Sequence, residues 1–230
     1  MPNVDLARAV VIPEQGIRLE GILEVPPGAR GMVVFAHGSG SSRLSPRNQA
    51  VASALQQAGL GTLLFDLLTE SEMRERANVF DIPLLATRLV TATSWLEQQP
   101  GVHGLRIGYF GASTGAAAAL VAASRLTNEI AAVVSRGGRP DLAGASLSGV
   151  RAPTLLIVGR ADQAVLGLNR LALERLDCPK RLAIVDGATH LFEEPGALEE
   201  VARLAMEWFL RHLAKAEGKA AARDSKGGSR

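Results

Sequence analysis

Ser113 is the residue of this chain best placed to act as a nucleophile. It stands in Gly111-Ala112-Ser113-Thr114-Gly115, directly after the strand-like run 106–110. Directly after it comes Ala116-Ala117-Ala118-Ala119-Leu120-Val121, which reads as a helix. A serine on a sharp strand-to-helix turn exposes its hydroxyl above the sheet. Crowding at such a turn leaves no room for a Cβ two residues to either side, which accounts for glycine at 111 and 115. A hydroxyl is a weak nucleophile at neutral pH. It needs a base, and the base needs a group to orient it.

The downstream chain offers both. Gly159-Arg160-Ala161-Asp162 follows the apolar run 154–158, and Gly187-Ala188-Thr189-His190 follows 181–185. Asp162 and His190 therefore belong to loops at the carboxyl ends of strands, the edge on which Ser113 sits. Among the other histidines, His212 reads as the solvent side of a helix end and His103 as a turn residue. His37 reads as a packing or hydrogen-bonding anchor at a strand end. Asp141 is the rival to Asp162, Asp66 a loop anchor and Asp186 a turn residue. Upstream, the buried-strand run 31–36 leads into His37-Gly38-Ser39-Gly40-Ser41-Ser42-Arg43. A small glycine-rich loop can aim a backbone N–H at a developing oxyanion. Ser39 is the expected donor, with Gly40 as the alternative. Arg136 and Arg139 fall after the strand read at 130–134, near the expected pocket mouth. They are candidates for bidentate binding of a substrate carboxylate. The alternative is a pair of surface arginines, matched with Asp141 or a glutamate.

These segments resemble the α/β-hydrolase superfamily, and within it the dienelactone hydrolase-like branch of small hydrolases. The resemblance rests on His37-Gly38-Ser39-Gly40-Ser41-Ser42, Leu64-Phe65-Asp66-Leu67-Leu68, Gly111-Ala112-Ser113-Thr114-Gly115, Gly159-Arg160-Ala161-Asp162 and Ala188-Thr189-His190. It spans roughly residues 5–214 and follows the superfamily's chain order of Ser, Asp, His. It implies a mostly parallel eight-stranded sheet with helices on both faces. It also implies a Ser113-His190-Asp162 triad and a second oxyanion donor, the amide of Thr114. Dienelactone hydrolases proper carry a cysteine as nucleophile where this chain has Ser113. What carries over is therefore the fold, the triad and general ester-hydrolase chemistry, not any substrate-binding residue.

A length of 230 residues suits one such domain, read here as 1–216, with 217–230 a basic tail lacking apolar periodicity. The calculated isoelectric point near 9.0 would suggest a nucleic-acid partner. However, residues 215–230 hold five cations against two carboxylates, so the rest of the chain is close to neutral. No nucleic-acid or membrane partner is expected, and the oligomeric state is left open. Cys178 is alone, so no internal disulfide forms, and a reducing, cytoplasmic setting is the natural expectation. No basic-then-apolar leader opens the sequence, and no run approaches the roughly 18 apolar residues of a membrane helix. Paired Cys/His spacings, H-E-x-x-H and phosphate-binding glycine loops are missing, so neither metal nor cofactor is expected.

The elements that must hold these residues follow from periodicity. Strands at 8–13 and 18–25 form an opening hairpin. A helix over 46–58 starts at Pro46 and stops at Gly59, and the next strand is 61–66. Residues 67–78 are charged and read as a solvated loop or short helix overhanging the site. A long helix follows at 80–99, and the last helix runs over 195–214. Fewer than about twenty residues separate Ser135 from the strand near Pro153, too few for a helical cap. The site is therefore expected to be open to small soluble esters, hydrolysed through an acyl-enzyme. Acyl transfer by the same groups and a non-catalytic binding module on the same fold are the alternatives.

Overall fold

The computed structural model describes residues 7–214. The expected tail at 217–230 and the domain end at 216 lie outside the described residues.

A hairpin opens the fold, pairing β1 (Ala7–Glu14) with β2 (Ile17–Glu24) through Gln15 and Gly16, both at positive φ. Two such residues give a turn whose twist matches that of the strands. Six further strands complete one sheet: β3 (Met32–Ala36), β4 (Gly61–Phe65), β5 (Ile107–Ala112), β6 (Ile130–Arg136), β7 (Thr154–Gly159) and β8 (Lys180–Val185). The order is β1-β2-β4-β3-β5-β6-β7-β8, antiparallel as far as the β2–β4 pair and parallel from β4 onward. Strands β3 to β7 are buried along their whole length, as expected of parallel strands covered on both faces.

Helices α1 (Pro46–Gln57) and α7 (Ala197–Leu213) pack together on one face. They close a core that includes Val51, Leu55, Val201 and Phe209. On the other face lie α4 (Ile82–Glu97), α5 (Thr114–Arg125) and α6 (Gln163–Arg175). The chain runs from β3 outward to β4, then returns to place β5 on the opposite side of β3. At such a reversal, the loops leaving the two strands diverge and open a crevice at their carboxyl ends.

Two expectations change in detail. The charged stretch 67–78 forms two short helices, α2 (Glu70–Met73) and α3 (Arg76–Val79), and it is not simply solvated. Its Glu72 pairs with Arg88 of α4, which also pairs with Glu14 of β1. Strand β6 continues two residues beyond 134, so Arg136 is its last residue and not a loop residue. As expected, no cap interrupts the path from β6 to β7. Only a 3-10 segment, Pro140–Gly149, fills it, broken at Gly144.

Candidate active site

Ser113 adopts φ 50° and ψ −122°, a conformation that L-residues avoid. Strain of this kind costs about 1–3 kcal/mol and persists only where the surroundings over-determine it. Here three backbone bonds hold the residue. Its N–H donates to the Arg136 carbonyl (3.4 Å), and its own carbonyl accepts from Ala116 (3.1 Å) and Arg139 (3.0 Å). Close packing forbids relaxation. A Cβ at Gly115 would collide with the Ala36 and His37 carbonyl oxygens, and one at Gly111 would lie 2.5 Å from the Ala116 Cα. Both glycines expected from sequence are thus required by contact.

His190 and Asp162 meet as anticipated, with Nδ1 of the histidine 2.7 Å from Asp162 Oδ2. That bond assigns the proton to Nδ1 and leaves Nε2 as a lone-pair acceptor. Ala161 N–H to the Ala188 carbonyl (3.0 Å) ties the two loops together. The segment after β6 links them to the serine. Gly137 N–H donates to the Ile157 carbonyl, and a Cβ on Gly137 would lie 3.0 Å from the His190 carbonyl oxygen. The rival acid, Asp141, is instead engaged by the Arg139 guanidinium in a two-pronged pair (2.8 and 2.9 Å).

The loop after β3 is fixed by side chains. His37, buried, accepts the Leu67 N–H at Nε2 (3.0 Å) and bonds the Gly38 carbonyl through Nδ1 (3.0 Å). It is the anchor read from sequence, and burial holds its pKa below the ordinary value. Asp66 accepts both the backbone N–H and the guanidinium of Arg43. The Ser39 amide donates to Thr114 Oγ1 (2.9 Å), so one expected oxyanion donor is already occupied by the side chain of the residue that supplies the other. Thr114 begins α5, where first-turn amides have no partner within the helix. Beside this loop runs a narrow cleft walled by Leu67, Leu68, Met73, Val79 and Leu85.

The two candidate arginines separate. Arg139 is more than a third exposed and takes the surface-pair alternative with Asp141. Arg136 is 8% exposed and is the last residue of β6, at the carboxyl edge of the sheet. Its Nε and Nη1 are buried without a hydrogen-bond partner. Burial and the nearby Arg47 cation bring its pKa down to about 10. His212 differs from expectation too: its ring packs at a tilt against Trp208 (4.6 Å between centroids, 57° between planes) and its Nε2 is buried.

Comparison with known proteins agrees with this fold. A dienelactone hydrolase from Anabaena variabilis, solved by crystallography, is 57% identical. It matches 90% of this chain and 98% of its own with a TM-score of 0.87. The chain belongs to the dienelactone hydrolase family of α/β-hydrolases. Est1E from Butyrivibrio proteoclasticus shares the fold (TM-score 0.77, 18% identity, 90% of this chain and 99% of that one). Residues 90–147 match the family described as BAAT / acyl-CoA thioester hydrolase C terminal. Two Mycobacterium tuberculosis proteins, named as candidate phosphoribosyl transferases, are 61% identical over 197 residues, or 86% of this chain. The chain spans only 44% of their length. By family, then, the chain is related to hydrolases.

Sequence reasoning passed over Arg47, in the first turn of α1, and Arg88. Arg47 had a signal. The first turn of α1 holds a cation and no acid, the reverse of what the helix dipole favours.

Proposed function

We propose that this protein hydrolyses carboxylic esters of small substrates through an acyl-enzyme on Ser113. The observation that carries the reading is the strained Ser113 turn, set on the same sheet edge as a His190 whose Nδ1 is held by Asp162. Ser113 Oγ attacks the acyl carbon and passes its proton to His190 Nε2. The imidazolium so formed is stabilised by Asp162 and returns the proton to the departing alcohol. The negative oxygen of the tetrahedral intermediate takes the Thr114 amide. Its second donor is the Ser39 amide, which exchanges Thr114 Oγ1 for the substrate oxygen, or the Gly40 amide. Water, deprotonated by His190, then releases the acyl group.

The match to a thioester hydrolase family favours one second reading, in which the same groups act on a thioester or pass the acyl group to another acceptor. The transferase in the name of the mycobacterial relatives is said of proteins more than twice the matched span, and we place no phosphoribosyl chemistry on Ser113. No helix of the described residues is long and apolar enough to cross a membrane.

Intact-mass labelling with a fluorophosphonate tests the reading. A single adduct on the wild type, absent from Ser113→Ala, is expected, with turnover of a short-chain ester falling about 10⁴-fold or more in the variant. A folded wild type that takes no label would overturn it. Adding an alcohol or amine and analysing products separates transfer from hydrolysis.

A further inference from the structure

We propose that the cleft beside the oxyanion loop takes the acyl half of the ester, and that Met73 is the stop that limits this half to an acetyl-sized group. The proposal rests on the ester-hydrolase reading above. It adds which half of the substrate this chain selects, and by which residue. The order of the strands decides the half. From Ser113, at the end of β5, strands β3 and β4 lie to one side and β7 and β8 to the other. The oxyanion loop follows β3, and Leu67 and Leu68 follow β4. Asp162 and His190 follow β7 and β8. The carbon that Ser113 attacks carries three other groups. Its oxygen turns to the oxyanion amides, and the departing alcohol must lie beside His190 Nε2 to receive the proton. The acyl chain is the group that remains, and the side left for it is that of β3 and β4. The cleft opens there, with Ser39 and Thr114 of the oxyanion site among its lining residues.

The free space between the cleft walls is about 10 Å³, room for one water-sized group. The methyl of an acetyl ester is near that size, and each further methylene has to displace a wall. Leu67, Leu68 and Leu85 belong to the buried core and cannot yield. Met73 is different, for it ends the four-residue α2 and is only partly buried. Behind it lies a second cavity of about 370 Å³, bounded by Arg18, Glu20, Arg43 and Thr69. Leu68 and Met73 line both spaces. Since Leu68 is fixed in the core, the Met73 side chain is the partition that can be removed. A methionine side chain is unbranched and adaptable, so a stop made from one needs a firm backbone. Here the Met73 N–H donates to the Thr69 carbonyl (3.0 Å), and the carbonyl of Glu72 accepts from Asn78 Nδ2 of α3 (3.1 Å). The Glu72 side chain closes the capping box with Thr69 and pairs with Arg88, which Glu14 holds in turn. One helical turn has little stability of its own. These bonds keep the partition where a longer acyl chain would pass.

Two ester series, each with one half held constant, test the assignment. The acyl group varies in p-nitrophenyl acetate, butyrate and hexanoate, and the alcohol varies in ethyl, butyl and hexyl acetate. Wild type should favour the p-nitrophenyl acetate over the hexanoate by about tenfold or more in kcat/KM, the scale of a misfitting methylene. Met73→Ala joins the two cavities, so it should raise the hexanoate-to-acetate ratio by about tenfold or more. The order of preference along the alcohol series should stay that of wild type. A merely structural role for Met73 would lower all the esters alike and leave the ratio where it was. If Met73→Ala does not fold, Met73→Val, also shorter, carries the same comparison. The inference is overturned by a wild type that takes the fluorophosphonate label yet shows no preference for the acetate or does not cleave it. A ratio that the shortened variant does not move, or a shift confined to the alcohol series, overturns it too. A wild type that neither takes the label nor cleaves any of these esters removes the hydrolase reading, and this inference with it.

Discussion

Arg88 and Arg136 are equally withdrawn from water, at 7% and 8% exposure, and only one of them has partners. Arg88 bridges Glu14 of the opening hairpin (3.1 Å) and Glu72 of α2 (2.8 Å). Glu72 in turn closes a capping box with Thr69, so the ion pair fixes the short helices that wall the apolar cleft. Among the described residues no carboxylate pairs with Arg136, and the cation at Arg47 opposes it. The difference teaches how to read a buried charge. One that is matched within the chain belongs to the architecture. One that is left unmatched carries its desolvation cost alone.

Removing each guanidinium separates the two cases, and the larger effect falls on the matched one. Arg88→Met leaves Glu14, itself 8% exposed, without its counter-charge. The loss should be about 3–5 kcal/mol, as for other buried pairs broken from one side. Urea unfolding would show it as a lower midpoint with an unchanged slope. A variant within about 0.5 kcal/mol of wild type would mean that the pair does not hold α2 in place.

Arg136→Met should act in the opposite direction. With no ligand present, it removes an unpaired buried cation and replaces it by a side chain suited to an apolar site. The ligand-free protein should gain about 1–4 kcal/mol, by analogy with buried ionic groups exchanged for apolar ones. The same urea experiment measures it. Destabilisation in the absence of any ligand would erase the contrast with Arg88 and make both arginines architectural.

This contrast was only partly legible in the sequence. The turn around Ser113 was, because a collision of Cβ with backbone forces glycine at 111 and 115 and leaves a pattern in residue types. The Asp162 and His190 loops were legible because each follows an apolar run that reads as a strand, β7 buried along its length and β8 at the sheet edge. Arg136 was misplaced by two residues of strand length, and strand ends carry no marker when the next residues are Gly137 and Gly138. Arg88 was hidden inside the helix read at 80–99. Its partners, Glu14 and Glu72, are 74 and 16 residues away, so no local pattern links them. The engagement of the Ser39 amide by Thr114 Oγ1 depends on a side-chain rotamer, which periodicity does not encode.

His37 gives the comparison its smallest and most graded test, because protonation can unmatch a buried group that the fold has matched. In the neutral tautomer Nδ1 donates to the Gly38 carbonyl and Nε2 accepts from Leu67 N–H, so both nitrogens are satisfied. A proton on Nε2 would replace the acceptor by a second donor facing that N–H. Burial is the main cause of the lowered pKa, and it outweighs the opposing pull of the Gly38 carbonyl and of Asp66. The unfolded chain therefore takes up this proton first, near the ordinary histidine value of 6.5. It follows that the contribution is fully present above about pH 6.5 and declines as pH falls toward the lower folded-state pKa. The scale is about 1–2 kcal/mol, that of leaving one buried backbone donor unpaired. Thermal melts from pH 7.5 down to 5 should show this decline in wild type and a shallower one in His37→Gln, whose side-chain oxygen accepts without titrating. Parallel curves for the two proteins would place the acid sensitivity elsewhere, and the β3 loop would then be no better matched at pH 7.5 than at pH 5.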